Sequence, residues 1–366
     1  MSVEFIGLIG PQESSESQAP RGPQVDLAFI RAFAQAQEYA GFDKALLAVN
    51  TSAADSLILA SYVAAVTERL GLLVAHRPGF QAPTFAARQF ATLDQLSAGR
   101  AAINVITGGD SGDLQRDGDF LDKDARYART DEYLDVLQRT WYAREPFDHH
   151  GAHYQVEDNL TLVKPKGKLP VYFSGASDAA VEVAARHADV YMMWGEPLQQ
   201  VAERIAKVRK AAARHGREGQ IRFSLSLRPI LGATEEQAWA RAEQILADAR
   251  QLHVQRAAAS RDKRFGNSNV GSQRLVQLAS QRQVHDQRLW TEIAALTGAA
   301  GNSTALVGTA EQVAESALEY YKLGVSTFLF RGFDQLQDAV QYGRDLLPLI
   351  RAQVAAYAQT PKVQRA

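Results

Sequence analysis

Cysteine is absent from the 366 residues of this chain. That excludes a disulfide framework, a thiolate metal site and a cysteine nucleophile. Charge imbalance is missing too: 40 Lys and Arg stand against 41 Asp and Glu, with no long run of either sign. Nucleic acid or a membrane is therefore not expected as the main partner. No apolar stretch approaches the roughly 20 residues that span a bilayer. Residues 2–9 read as a strand and lack the basic region and cleavage site of a leader, so a cytoplasmic location is expected. No G-x-S-x-G elbow, internal repeat or low-complexity tract is present.

What remains is ordinary for a large soluble core, with 46% hydrophobic and 22% charged residues. Strand-like and helix-like segments alternate. Strands are expected at 2–9, 44–49, 70–75, 101–106, 171–173, the run ending at Trp194, 222–230 and 326–330. Helices are expected at 26–39 (stopped by Gly41), 53–68, 85–95 and 127–144, with two more starting near Thr234 and Gln335. Apolar runs without alternation suit strands covered on both faces, hence a parallel sheet. The pattern predicts an α/β fold, a (β/α)8 TIM barrel in one domain over residues 1–366. Insertions fall at about 107–126, 147–162 and 254–305. The second reads as a hairpin turning at His150-Gly151. The third lies between the seventh and eighth strands, where a loop this long is either a functional lid at the active-site face or disordered.

In such a barrel, chemistry comes from just past the strand ends. Those positions hold Gln12, Asn50, His76, Arg77, Asn104, Thr107, Ser174 to Ser177, Trp194, Arg228 and Arg331. They include no carboxylate pair, so no metal site is expected, and no strand-end lysine for Schiff-base chemistry. Ser174, Gly175, Ala176 and Ser177 form a turn of small residues feeding a helix at Asp178. Free N–H groups and the positive helix end make such a turn an anion site, for phosphate or carboxylate, or merely an ordinary capped turn. Cations at the same mouth suggest an anionic cofactor or substrate, and the scarcity of acid–base groups places the hard chemistry on a cofactor. Structural alternatives stand beside each residue: a satisfied strand-end histidine at His76, a structural Arg77, a rim cover at Trp194, packing at Asn104 and core at Tyr127. His149, His150 and His153 imitate metal spacing at the hairpin tip without a second acidic ligand.

Several motifs together resemble the bacterial-luciferase-like flavin monooxygenases, and among them the alkanesulfonate monooxygenase branch. They are Arg77-Pro78, Pro83-Thr84, Ala87-Arg88-Gln89, the run TLDQLSAGR from Thr92 to Arg100, and Asn104-Val105-Ile106-Thr107-Gly108. Asp117-Gly118, Phe120-Leu121-Asp122, Arg126-Tyr127, Tyr172 to Asp178, Trp194-Gly195-Glu196-Pro197 and Thr304 to Gly308 continue it in one register. The resemblance implies a barrel that binds FMN as FMNH2, delivered by a separate NAD(P)H-dependent flavin reductase, and activates O2 as a flavin peroxide. It implies that Ser174, Gly175, Ala176 and Ser177 hold the FMN phosphate, with Asn104 and Tyr127 beside the isoalloxazine and phosphate chain and Trp194 by the ring. It also implies a homodimer or homotetramer.

Departures from that branch collect on the substrate side. Ala53 replaces a cysteine, Ser226-Leu227-Arg228 replaces Arg-x-His, and Phe333 replaces a tyrosine. Gln12 stands for a histidine, and an arginine expected near Thr297 or Gly298 is missing. Arg228 and Arg331 restore positive charge from new places. The resulting reading is an FMNH2-dependent monooxygenase of a two-component system. It acts on a small organic molecule, with organosulfur compounds other than simple alkanesulfonates in view. Arg228, His76 and Trp194 are the catalytic candidates, and Gln12, Arg228, Arg331 and Phe333 the substrate contacts. The alternatives are a deazaflavin-dependent dehydrogenase on the same barrel and a flavin-binding protein without turnover.

Overall fold

The computed structural model describes residues 2–360 apart from Gly109, residues 260–268, Ala300 and Asn302, with the backbone alone for residues 257–259. In chain order the strands are β1 (Glu4–Ile9), β2 (Lys44–Leu47), β3 (Gly71–His76), β4 (Ala101–Ile106), β5 (Phe147–His150), β6 (Gln155–Asn159), β7 (Val171–Ser174), β8 (Val190–Trp194), β9 (Arg222–Leu231), β10 (Val284–His285), β11 (Leu289–Trp290), β12 (Ala305–Gly308) and β13 (Val325–Phe330). The helices are α1 (Leu27–Ala40), α2 (Ser56–Val66), α3 (Pro83–Leu96), α4 (Ser111–Arg116), α5 (Lys123–Tyr142), α6 (Asp178–His187), α7 (Leu198–Ala213), α8 (Glu235–Ala259), α9 (Val270–Gln281), α10 (Glu292–Thr297), α11 (Ala310–Leu323), α12 (Gln335–Gln341) and α13 (Leu347–Gln359), the last two joined by a π-turn. Parallel strands follow the order β9, β13, β1, β2, β3, β4, β7, β8, and β8 also pairs with β9. This is the closed (β/α)8 barrel that the alternation predicts.

Two compact units make up the chain, one of residues 1–45, 193–205 and 222–366, the other of 46–192 and 206–221. In the first, the rings of Phe5, Phe328 and Phe330 meet with centroids 5.6–6.3 Å apart between β1 and β13. Asp26 caps α1 by accepting the Ala28 and Phe29 N–H groups, and Gly41 ends it at φ 85°, a conformation that suits glycine. The ten residues of β9 serve two partners in succession. Phe223 to Leu227 pair with β13, and Arg228 to Leu231 pair with β12.

That second pairing changes the reading of the excursion. Residues 254–305 are not one long loop. The described part is the end of α8, then α9, the antiparallel pair β10–β11 and α10, and β11 pairs in turn with β12. Residues 260–268, within the polar start of that excursion (256–269), lie outside the described residues, and so does the choice there between lid and disorder.

In the second unit, β3 and β4 are buried along their first five residues, as their unbroken apolar runs require. The expected hairpin forms as β5–β6. The polar stretch 107–126 contains α4, and α5 starts at Lys123, four residues before the position expected, because Asp122 accepts the Ala125 N–H as an N-cap. The run TLDQLSAGR ties α3 to β4. Asp94 accepts the backbone N–H groups of Ala101 and Lys166, and Arg100 donates to the carbonyls of Ala64 and Thr67 at the end of α2 and of Leu70 just before β3.

Candidate functional site

Within the second unit, the ends of β4 and β7 and the start of α6 gather most of the residues assigned to a cofactor. Asn104 is 2% exposed, and its side-chain oxygen accepts a hydrogen bond from the Ser174 hydroxyl at 3.2 Å. Ser174, Gly175, Ala176 and Ser177 are half-buried, so the turn keeps a face toward solvent. Ser177 is the N-cap of α6, accepting the Ala180 N–H at 3.3 Å, and also hydrogen-bonds the Tyr127 hydroxyl. Burial raises the Tyr127 pKa, which keeps the phenol protonated and able to donate. The Gly175 carbonyl accepts the Tyr191 hydroxyl.

A side chain at Gly175 has no room. A Cβ there would lie 2.6 Å from the Ala180 methyl and 3.0 Å from the Tyr127 hydroxyl. Beside Tyr127, the buried Arg126 donates to the Leu121 carbonyl at 2.6 Å, while its Nε has no hydrogen-bond partner. The hydroxyls of Ser174, Ser177 and Tyr127 and the N-terminus of α6 form a donor set that fits a phosphate. Asp178 opens the same helix, but its carboxylate points outward and pairs with Lys207.

His76 lies in this unit as well. Its Nε2 is 2.7 Å from the Tyr133 hydroxyl, and its ring stands edge-on to Phe90. Burial is the main cause that pushes its pKa down to about 4, and a weaker pull from Asp55 acts the other way. The ring is therefore neutral near pH 7 and already has a partner. Arg77 pairs with Asp113, which also accepts the Thr51 hydroxyl and thereby fixes α4. Ligand atoms of Asp131, Asp135 and His187 come within 4.8 Å of one another, but Arg186 pairs with both carboxylates and already supplies the positive charge.

The first unit holds the residues assigned to substrate. Trp194, at the end of β8, packs against Leu275, Leu278, Ala294 and Ala299. Gly271 lies against its ring, where a Cβ would be 3.2 Å away. Arg274 grips Glu196 with both forks, at 2.7 and 2.6 Å. Trp194 thus serves as the floor on which α9 and α10 rest. Phe333 is 1% exposed, with the Arg228 guanidinium 3.5 Å from its ring centroid. Gln12 is half-buried in the loop after β1.

Arg228 is wholly buried, and each of its guanidinium nitrogens has a partner. Nε donates to the Arg331 carbonyl, Nη2 to the Gly332 carbonyl at 2.8 Å, and Nη1 to Glu16. The other Glu16 oxygen takes Arg331. The two guanidiniums overcome the burial of Glu16 and hold its pKa down at about 2. The sequence reading missed Glu16 and took both arginines as unengaged cations. The available signal was charge bookkeeping: two arginines at strand ends need a counter-ion, and Glu16 lies in the loop that leaves the first strand.

Comparison with known proteins agrees with the fold. Residues 3–327 match the family described as luciferase-like monooxygenase. Riboflavin lyase (RcaE), solved with a modified FMN and riboflavin, superposes with a TM-score of 0.79 at 20% identity, over 97% of this chain and 92% of that one. EDTA monooxygenase (EmoA) from Chelativorans sp. BNC1 gives 0.76 at 18% identity, over 100% and 96%. An F420-dependent secondary alcohol dehydrogenase gives 0.68 at 16% identity, over 95% or more of both chains (96% and 99%). With a match covering most of its length, the chain belongs to the luciferase-like monooxygenase family.

Proposed function

We propose that this protein is an FMNH2-dependent monooxygenase of a two-component system, with its reduced flavin supplied by an NAD(P)H-dependent flavin reductase. The observation that carries the reading is the turn from Ser174 to Ser177. Its glycine admits no side chain, its Ser177 hydroxyl hydrogen-bonds the Tyr127 phenol, and its Ser174 hydroxyl donates to Asn104. Bound there, reduced flavin would supply the activation of O2. The chain's own part is to hold the phosphate with Ser174, Ser177, Tyr127 and the α6 N-terminus, and to position the cofactor with Asn104. His76, neutral and bonded to Tyr133, shapes the end of β3 and is not a source of protons. Trp194 acts by fixing α9 and α10. A small organic substrate, an organosulfur compound other than a simple alkanesulfonate, accords with the departures on the substrate side. A cytoplasmic homo-oligomer completes the reading.

The test supplies enzymatically generated FMNH2 and O2 with a panel of sulfones, thioethers and sulfonates, and follows substrate-dependent oxygen uptake and sulfite release. Oxygenated product from at least one compound is expected. Hydride transfer to or from F420 without oxygen uptake would instead establish the second reading, a deazaflavin-dependent dehydrogenase, which the likeness to the F420-dependent alcohol dehydrogenase keeps in view.

A further inference from the structure

Arg228, inside β9, and Arg331, just past β13, hold between them what a substrate anion would need, and the chain fills that place itself. Glu16 gives one carboxylate oxygen to Arg228 and the other to Arg331. A sulfonate or carboxylate ligand would be gripped in the same way, one oxygen per guanidinium. Nothing in Arg228 is left over. Its remaining nitrogens end on the Arg331 and Gly332 carbonyls, and its face is covered by Phe333. The loop that brings Glu16 is itself braced: Glu13 and Arg21 form a bridge, Ser15 N–H reaches the Gln18 carbonyl, and Arg256 donates to the Ser15 carbonyl. The Glu16 and Arg331 side chains keep 22% and 24% of their surface, so an outside anion can reach the pair, while Arg228 at 0% is reachable only by replacing Glu16.

We propose that Glu16 is an internal counter-ion that determines specificity. Its carboxylate occupies the anion position between Arg228 and Arg331, so this end of the barrel strands takes uncharged organic substrates and excludes sulfonates and carboxylates. An anionic ligand would have to expel Glu16 and leave its carboxylate without partners, a penalty an uncharged ligand does not meet. The single positive charge left over resides on Arg331, where solvent screens it. The inference rests on the monooxygenase reading only in calling these ligands substrates; the binding preference stands without it.

Isothermal titration of the flavin-free protein with 1-hexanesulfonate and with hexyl methyl sulfone, without oxygen or reductase, reads that preference directly. The wild-type protein is expected to bind the sulfone more tightly than the sulfonate. Glu16→Gln, which keeps the shape and removes the charge, should raise sulfonate affinity by about tenfold or more. The double variant Glu16→Gln with Arg331→Gln should lose that gain, which separates charge from a loosened loop. No gain in Glu16→Gln, or wild-type protein binding the sulfonate at least as well as the sulfone, overturns the proposal. If Glu16→Gln does not fold, the wild-type order of affinities decides alone. Failure of the monooxygenase reading shows elsewhere, as absent oxygen uptake.

Discussion

At Gly175 the available space is set by two neighbours, the Ala180 methyl 2.6 Å and the Tyr127 hydroxyl 3.0 Å from where a Cβ would stand. Gly175→Ala must shift the turn away from Ala180 at the start of α6 and crowd the Tyr127 phenol, both parts of the proposed phosphate site. Loss of flavin affinity by about tenfold or more, about 1.4 kcal/mol, is expected in anaerobic titration with reduced FMN. Unchanged affinity would remove the turn from the cofactor site. His76 makes a different prediction, about pH. Its folded pKa of about 4 lies below the ordinary 6.5 because the ring is buried. Between those values the unfolded chain takes up a proton that the folded ring refuses, so stability falls as pH falls from 6.5 toward 4. The loss is about 3 kcal/mol when complete and absent above pH 6.5. Urea midpoints measured from pH 7 to pH 4.5 should therefore decline in the wild-type protein and decline less in His76→Gln. Equal slopes would mean that the ring titrates normally.

The two-pronged pairing of Arg274 in α9 with Glu196 holds the excursion to the chain just past β8. The Arg274 side chain is 33% exposed and that of Glu196 is 11% exposed, so the pair is partly screened. Arg274→Ala should cost about 1–2 kcal/mol and leave Glu196 without its charge partner. Limited proteolysis of the folded protein should then cut within residues 254–305 several-fold faster, with a shift in Trp194 fluorescence as α9 loosens. An unaltered digestion pattern would place the anchoring in the Leu275 and Leu278 packing instead. Elements of this kind were poorly legible in the sequence, for a physical reason. α1 was readable to within a residue because Asp26 and Gly41 act locally, and β4 because an unbroken apolar run needs no partner to be recognised. By contrast, β12 is four residues long and exists because β9 continues past β13 to offer it an edge, a fact of pairing that no local pattern carries. Glu16 escaped for the same reason, since its two arginines lie 212 and 315 positions away in the chain. The turn from Ser174 to Ser177 was legible as a strand-to-helix turn because small residues, an N-cap and a helix follow one another directly. TLDQLSAGR, which weighed heavily in the resemblance, proves to be a joint between α2, α3 and β4.

For the molecule as a whole, the barrel does not decide which cofactor it serves. Relatives of similar fold include a riboflavin lyase solved with modified FMN and an F420-dependent alcohol dehydrogenase, both under 25% identical to this chain. The turn proposed to hold a phosphate would read only the anionic end of either cofactor, so the choice has to be argued from redox behaviour. A two-component monooxygenase receives its flavin reduced and must release it oxidised, since the oxidised form returns to the reductase. Differential binding is then a requirement of the cycle: the protein must favour reduced over oxidised FMN by about 1.4 kcal/mol or more, a factor of ten, for transfer to run in one direction. A resident flavin re-reduced in place, or a dehydrogenase using F420, has no such requirement. Equilibrium titrations of the same preparation with oxidised FMN in air, and with FMN, photoreduced or enzymatically reduced, under argon, measure the ratio. A ratio of ten or more in favour of the reduced form, together with negligible F420 binding, is the expected result. Equal affinities for the two redox states of FMN would remove the two-component system and leave the family's flavin chemistry to be carried by a permanently bound cofactor.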